Sequence, residues 1–342
     1  MISSIFRYNE DRPLLCKIKK ETYIGLDNEK VPVKIIFPNK KTNNTVILYP
    51  GASPAGEEHP KMDMLGRVFA KIGFIVYIPR IPTLMKLDIS EINVQWFICF
   101  YKWLIKENRI TPNKTMMFGI SYAGGIMLRS IFDTQSTLTH PKTILAYGTY
   151  SNAKTMLQFL LNGEIIINNK KYNIKPHEWG LIVIFHNYLK NLKIDWDSKD
   201  LQSALKLYIE EKISECEKII NTLPEFQKNI YYSIVKSKVT NEVRDLALAI
   251  IDGEQETLKN LSPTFWGNKI QNKIFIVHGA NDSMVPYTES IQLAKSLPDS
   301  ELFISYLYEH NEISTNRSKL FIFKEIIRFI NFYAKLFSHY ES

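Results

Sequence analysis

The chain has 342 residues, 45% of them hydrophobic and 23% charged, with 43 Lys+Arg against 35 Asp+Glu for a net charge of +8. At ~100–200 residues per domain this means one large domain or two small ones with ample core, and the composition excludes a collagen, a disordered chain and a disulfide scaffold. The longest apolar runs, such as 96–101 and 181–185, fall far short of the ~20 residues that span a bilayer; the basic excess is scattered among acids, without an RRM, zinc-finger or helix-turn-helix pattern, so no nucleic-acid partner is expected.

The amino-terminal stretch MISSIFRYNEDRPLL has an apolar run too short and too broken by charge for a secretory signal. Cys16, Cys99 and Cys216 are far apart and lack CxxC spacing, as expected of reduced thiols in a cytoplasmic protein.

From there strand-like and helix-like segments alternate. Residues 31–37 (VPVKIIF) alternate weakly, and 45–49 (TVILY) form a continuous apolar run, the mark of a strand buried on both faces, stopped by Pro50-Gly51. Residues 62–72 carry apolar side chains at helical spacing, with Gly73 as the stop. Residues 74–78 (FIVYI) read as a second buried strand, 89–106 as a helix with a wide apolar face, and 115–118 (TMMF) as a strand ending in glycine. A helix over 122–132 and a strand over 143–147 follow. Strands alternating with helices imply a parallel sheet with helices on both sides and ligand sites at the strands' carboxyl ends, where Gly51, Gly119 and Gly148 fall.

Between residues 151 and 264 the pattern turns helical. Residues 201–220 alternate Leu/Ile with Glu/Lys at helical spacing until Pro224, and 226–235 and 243–251 continue in the same style. Residues 179–192 are unusually apolar, and they read either as a face over a pocket or as packing against the core. The β/α style returns with a strand at 273–277 (KIFIV), a helix at 290–297, a last strand at 301–308 and an amphipathic closing helix at 320–337, read as core packing. The core is thus expected in 1–150 and 265–342, split around a helical insert at 151–264.

Three segments carry chemistry. Gly119-Ile120-Ser121-Tyr122-Ala123-Gly124-Gly125 lies straight after a strand and straight before a helix. A serine on that tight turn is thrust out at the sheet edge, the small neighbours let the backbones approach, and the helix N-terminus offers free N–H groups to developing negative charge. The bland alternative is a tight turn in a non-catalytic protein. In the second segment, 277–286 (VHGANDSMVP), Asp282 follows a buried strand. It reads either as the acid that orients an imidazole or as an Asx-turn or helix cap. In the third, His310 follows the last strand within YLYEHN. The order Ser121…Asp282…His310 is that of α/β-hydrolases.

On the elbow GISYAGG, the acid segment HGANDSMVP and the histidine in YEHN, the chain resembles the α/β-hydrolase fold superfamily over residues 30–150 and 265–342. The resemblance implies a mostly parallel sheet flanked by helices, with an inserted helical lid. It implies Ser121 as nucleophile, His310 as general base and acid, and Asp282 as its orienting partner. It also implies an oxyanion site built from the backbone N–H groups of Ala52 and Tyr122. The loop after the third strand departs from the family pattern in carrying Pro50 where the His of His-Gly often stands, and Ala123 takes the place of a frequent glycine.

Residues 51–60 are longer and more polar than a simple turn; Ser53, Glu57 and His59 are candidate substrate contacts, the alternative being a solvated loop. Trp179 and His186 in the insert are candidates of the same kind, with packing the plainer reading of His186. No HExxH pair, P-loop or dinucleotide fingerprint occurs, so no metal and no cofactor is expected. The activity implied is hydrolysis of a carboxylic ester, with a small, partly hydrophobic acyl substrate as the partner. An acyltransferase or peptidase with the same triad is the first alternative, and a non-catalytic binding protein on this fold the second.

Overall fold

The computed structural model describes residues 14–309 and 318–342. Its first half contains strands β1 (Lys17–Ile24), β2 (Lys30–Phe37), β3 (Thr45–Tyr49), β4 (Ile75–Pro79), β5 (Thr115–Ile120) and β6 (Thr143–Tyr147). Helices α1 (Pro60–Lys71), α2 (Pro82–Met85), α3 (Ile92–Lys106) and α4 (Tyr122–Thr134) connect them. Between β6 and the next long strand come α5 (Ala153–Asn162), the short strands β7 (Glu164–Ile167) and β8 (Lys170–Asn173), and helices α6 (Gly180–Tyr188), α7 (Lys199–Ile209), α8 (Ile213–Thr222), α9 (Glu225–Val235), α10 (Asn241–Gly253) and α11 (Gln255–Leu261). Strand β9 (Ile274–Asn281), helix α12 (Tyr287–Ser296), strand β10 (Ser300–Glu309) and helix α13 (Lys319–Glu341) complete the chain.

The main sheet has eight strands in the order β1-β2-β4-β3-β5-β6-β9-β10. The pairs from β4 to β10 are parallel, and β2 runs antiparallel to both β1 and β4. Its centre is buried on both faces because alternate side chains of one strand enter different layers. In β3, Val46 and Leu48 pack with α1 and α13 through Met62, Phe69, Phe332 and Leu336. Ile47 and Tyr49 face the other way, among Phe97, Phe100 and Ile126 of α3 and α4. Tyr49 stacks on Phe97 with ring centroids 4.1 Å apart, a pair worth ~0.5–1.5 kcal/mol beyond its buried area.

The sequence reading differs from the structure at definite places. Helix α3 begins at Ile92 rather than 89, because Asp88 accepts from Ser90 N at 2.8 Å and Asn93 Nδ2 donates to the Asp88 and Ser90 carbonyls, turning the chain before the helix starts. The expected single helix over 201–220 is two, α7 and α8, broken where Glu211 takes φ 59. A hairpin interrupts the helical insert: β7 and β8 pair antiparallel through Asn168 and Asn169, both with positive φ, as a type I′ turn requires. Strand β9 runs on to Asn281 instead of stopping at 277. The edge strand β1 had no counterpart in the sequence reading.

The apolar run of α6 does not stand free. Leu181, Ile182, Ile184 and Phe185 are all buried in the same cluster as α3 and α4. The closing helix α13 buries Phe332 and Leu336 against the sheet, as expected, while Leu320, Phe323, Ile327 and Ile330 are exposed. Among the described residues, no helix is long and apolar enough to cross a membrane.

Candidate active site

Strands β3 and β5 are neighbours in the sheet, yet the chain leaves β3 toward β4 and returns to β5 on the other side. Such a reversal opens a crevice at the carboxyl ends of the two strands. Gly51 lies just past β3 and Ser121 just past β5. A Cβ on Gly51 would sit 3.2 Å from the Ile120 carbonyl oxygen and 3.3 Å from Ser121 Cβ, so the loop after β3 runs directly against the turn that carries the serine.

Ser121 has φ 54° and ψ −130°, a conformation that costs a non-glycine residue ~1–3 kcal/mol. Neighbouring backbone holds it there. Its N–H donates to the Tyr147 carbonyl at 2.7 Å, and its own carbonyl accepts from Gly124 N at 3.0 Å. The turn closes only because its glycines let backbones touch. A Cβ on Gly119 would lie 2.8 Å from Gly124 Cα, one on Gly124 2.7 Å from Thr149 Cβ, and one on Gly125 2.5 Å from the Tyr150 ring. Ala123 is fully buried, and the close approaches fall on Gly119, Gly124 and Gly125 around it.

Tyr122 is the first residue of α4. Its N–H therefore has no intrahelical acceptor and lies at the positive end of the helix dipole. Its phenol donates to the Ile89 carbonyl at 2.6 Å and its ring stacks on Tyr150 at 5.7 Å; burial pushes that phenol well above its ordinary pKa. Among the described residues, no backbone hydrogen bond leaves the Ala52 N–H.

Asp282 follows β9. Its Oδ1 accepts from Met284 N at 2.8 Å and Val285 N at 2.9 Å, so the Asx-turn anticipated from sequence is present. Its Oδ2 lies 3.6 Å from His278 Nε2, and 3.5 Å from where a Cβ on Gly148 would be. Gly148 follows β6, the strand between β5 and β9. Ser121, Gly148 and Asp282 thus stand at three adjacent carboxyl ends. In β10, Glu309 pairs with Asn281. His310, the next residue, lies outside the described residues.

His278 is fully buried, with Nε2 2.8 Å from the Val285 carbonyl and Nδ1 2.6 Å from Ser290 Oγ. The carbonyl can only accept, so Nε2 carries the proton; the ring is held in the packing below Asp282. Glu289, unremarked in the sequence, is also buried. Its carboxylate accepts from Ser151 N, Asn152 N and Thr155 Oγ1, and burial raises its pKa. It fixes the chain where the helical insert leaves β6.

The candidate contacts in the 51–60 loop are engaged locally. Ser53 Oγ accepts from Ala55 N at 3.3 Å. His59 caps α1, its Nδ1 accepting from Lys61 N at 3.1 Å, and burial lowers its pKa. Glu57 is a correction to the contact expectation: its side chain is 2% exposed and is gripped by Arg80, with Nη2 2.6 Å and Nε 2.9 Å from Oε1. That carboxylate is occupied by the protein itself. A partner 23 positions away on another strand end leaves no local signal.

In the insert, Trp179 is half-buried and packs near Tyr208 at 6.1 Å. His186 Nε2 lies 3.0 Å from the Lys86 carbonyl, and burial lowers its pKa. A cavity of about 930 Å³ opens beside it, lined by Lys86, Asp88, Glu91, Tyr188, Lys206 and Glu210 among others, but not by Ser121. Among the described residues, no group of three His, Cys, Asp or Glu side chains converges as a metal site.

No protein-family model and no curated protein matches the chain. Solved structures do. A puromycin hydrolase superposes with a TM-score of 0.53 at 9% identity, covering 95% of this chain and 40% of its own. Oligopeptidase B from Leishmania major gives 0.52 at 13%, covering 95% and 37%. An acylaminoacyl peptidase in complex with Z-Gly-Gly-Phe-chloromethyl ketone gives 0.51 at 14%, covering 95% and 42%. The chain thus spans about two fifths of the length of these proteins. At these identities the likeness is one of fold, and the chain has the α/β-hydrolase fold.

Proposed function

We propose that this α/β-hydrolase-fold chain is a serine hydrolase that cleaves a carboxylic acyl bond through a covalent intermediate on Ser121. The observation that carries the reading is the strained Ser121 backbone, φ 54° and ψ −130°, held at the crevice between β3 and β5 beside a helix N-terminus. A protein has little reason to keep a strained serine there unless the hydroxyl is used.

In this reading His310 takes the Ser121 proton as Oγ bonds to the substrate's carbonyl carbon. The carbonyl electron pair moves onto oxygen, where the Ala52 and Tyr122 N–H groups hold it; such donors are each worth ~10²–10³ in rate. The intermediate collapses, the bond to the leaving group breaks, and His310 gives the leaving group its proton. Water, activated by the same imidazole, then releases the acid. Asp282, its Oδ1 fixed by two backbone amides, orients the imidazole.

The residues read equally well for ester and amide substrates. The fold neighbours that superpose over 95% of this chain are named as peptidases and a puromycin hydrolase, which favours an acylated amine or short peptide over a simple ester. The test is labelling by a fluorophosphonate probe, wild type beside Ser121→Ala, followed by turnover of peptide nitroanilides against p-nitrophenyl esters. Labelling lost in the variant, with the nitroanilides preferred, is the expected result. Preference for the esters returns the substrate to the carboxylic-ester class. A folded wild type that does not label points to a binding protein on this fold.

A further inference from the structure

The segment from Leu84 to Ile89 touches both sides of the candidate oxyanion site. Its first carbonyl, on Leu84, accepts from Ser53 N at 3.1 Å, one residue past Ala52. Its last, on Ile89, accepts from the Tyr122 phenol at 2.6 Å. The two amides proposed to hold the oxyanion are therefore braced against one short stretch of chain.

That stretch is not in a relaxed conformation. Leu87 has φ 54°, in the left-handed region that a leucine avoids, and both Leu87 and Ile89 are buried at 4% exposure. Their backbone groups must find partners inside the protein. The Leu87 N–H donates to the Leu84 carbonyl and the Ile89 carbonyl accepts from Tyr122, while the Leu87 carbonyl and the Ile89 N–H find their partners on one residue of the helical insert. Asn187, on α6, donates from Nδ2 to the Leu87 carbonyl at 3.0 Å and accepts on Oδ1 from Ile89 N at 3.0 Å. A second bond from Nδ2 to the Val183 carbonyl at 2.8 Å fixes the amide plane against its own helix. The adjacent His186 Nε2 meets the Lys86 carbonyl. A carboxamide suits this place because it carries an NH2 group and a carbonyl oxygen side by side, the first matching the C=O of residue 87 with a hydrogen left for Val183, the second the N–H of residue 89.

We infer that Asn187 is a positioning residue for the oxyanion site, by which the helical insert holds the Leu84–Ile89 segment, and through it the backbones of Tyr122 and the Ala52 loop, in working geometry. The inference rests on the reading of Ser121 and the two amides given above. Asn187 touches no reacting atom. It acts through the segment, and the segment through the Tyr122 ring.

The test uses the full chain and the fluorophosphonate probe, whose phosphoryl oxygen occupies an oxyanion site. The inactivation rate is resolved into kinact and KI for wild type, Asn187→Ala, Asn187→Asp, Tyr122→Phe and the double variant Asn187→Ala/Tyr122→Phe. Misplaced donors lower kinact and leave KI unchanged; the expected loss in Asn187→Ala is about tenfold. Asn187→Asp keeps the acceptor for Ile89 N–H but sets a carboxylate oxygen against the Leu87 and Val183 carbonyls, so its loss is expected to be at least as large as that of Asn187→Ala. Because both residues act on one segment, the double variant should fall little further than its worse parent. Wild-type kinact in the folded Asn187 variants, a change in KI alone, or losses that multiply in the double variant would each overturn the inference. If Asn187→Ala does not fold, Asn187→Asp carries the comparison. Wild-type labelling that Ser121→Ala abolishes keeps the serine hydrolase reading standing whatever the Asn187 variants do; absence of wild-type labelling removes that reading and this one together.

Discussion

The N–H of Ser121 donates to the carbonyl of Tyr147 at 2.7 Å while Ser121 itself sits at φ 54°. One strand end thus pins the tip of the next in a conformation that a side chain disfavours. Glycine adopts this region without the Cβ penalty that alanine and serine share. Ser121→Gly and Ser121→Ala both remove the hydroxyl, so both should lose probe labelling. They should differ in stability, the glycine variant unfolding at higher urea by about 1 kcal/mol. Equal midpoints would mean that the turn carries no strain.

The Glu57–Arg80 pair should behave as an interior ion pair. Arg80 is a third exposed, but the Glu57 carboxylate is 2% exposed. Removing Arg80 leaves that charge buried without a partner, and Arg80→Met is expected to cost about 2–3 kcal/mol in urea unfolding. Replacing both, as Glu57→Leu/Arg80→Met, should recover most of the loss, because no uncompensated charge remains. Since Glu57 lies in the loop that carries Ala52, the single variant should also label more slowly. A double variant no more stable than Arg80→Met would show that packing, not charge, dominates there.

His140 gives the stability a pH dependence of definite sign. Its ring stacks on Tyr101 at 5.2 Å, and Nε2 lies 2.8 Å from Thr134 Oγ1. That hydroxyl already donates to the Ser130 carbonyl, so it accepts from Nε2–H, and Nδ1 is buried without a partner among the described residues. A second proton would have no acceptor, and burial pushes the pKa down from 6.5 to about 4. The unfolded chain binds that proton first. Stability from this group is therefore complete above pH 6.5 and is lost as the pH falls toward 4. Urea midpoints at pH 7.5 and 4.5 should drop further for wild type than for His140→Phe, which keeps the stack. Equal drops would show that His140 titrates normally.

Much of the fold could be read directly from residue order. The runs TVILY at 45–49 and TILAY at 143–147 are buried strands because their neighbours in sequence are already apolar on both faces. The elbow at Gly119-Ile120-Ser121 was legible for the same reason: a tight turn between strand and helix needs small residues within a few positions of one another. The β7–β8 hairpin carried a local signal, Asn168-Asn169, that helical surroundings obscured. The break at Glu211 carried none, since no glycine or proline marks it.

What residue order alone determined, then, was the alternation that builds a parallel sheet and the turn that projects Ser121, since both rest on sterics between near neighbours in the chain. The tertiary structure decided which groups hold those features in place. Glu57 looked available until Arg80 closed on it, and Asn187 looked ordinary until the fold brought it onto the backbone of Ile89, 98 positions away. Partners so far apart are chosen by sheet order and helix packing, and no periodicity within either segment records them.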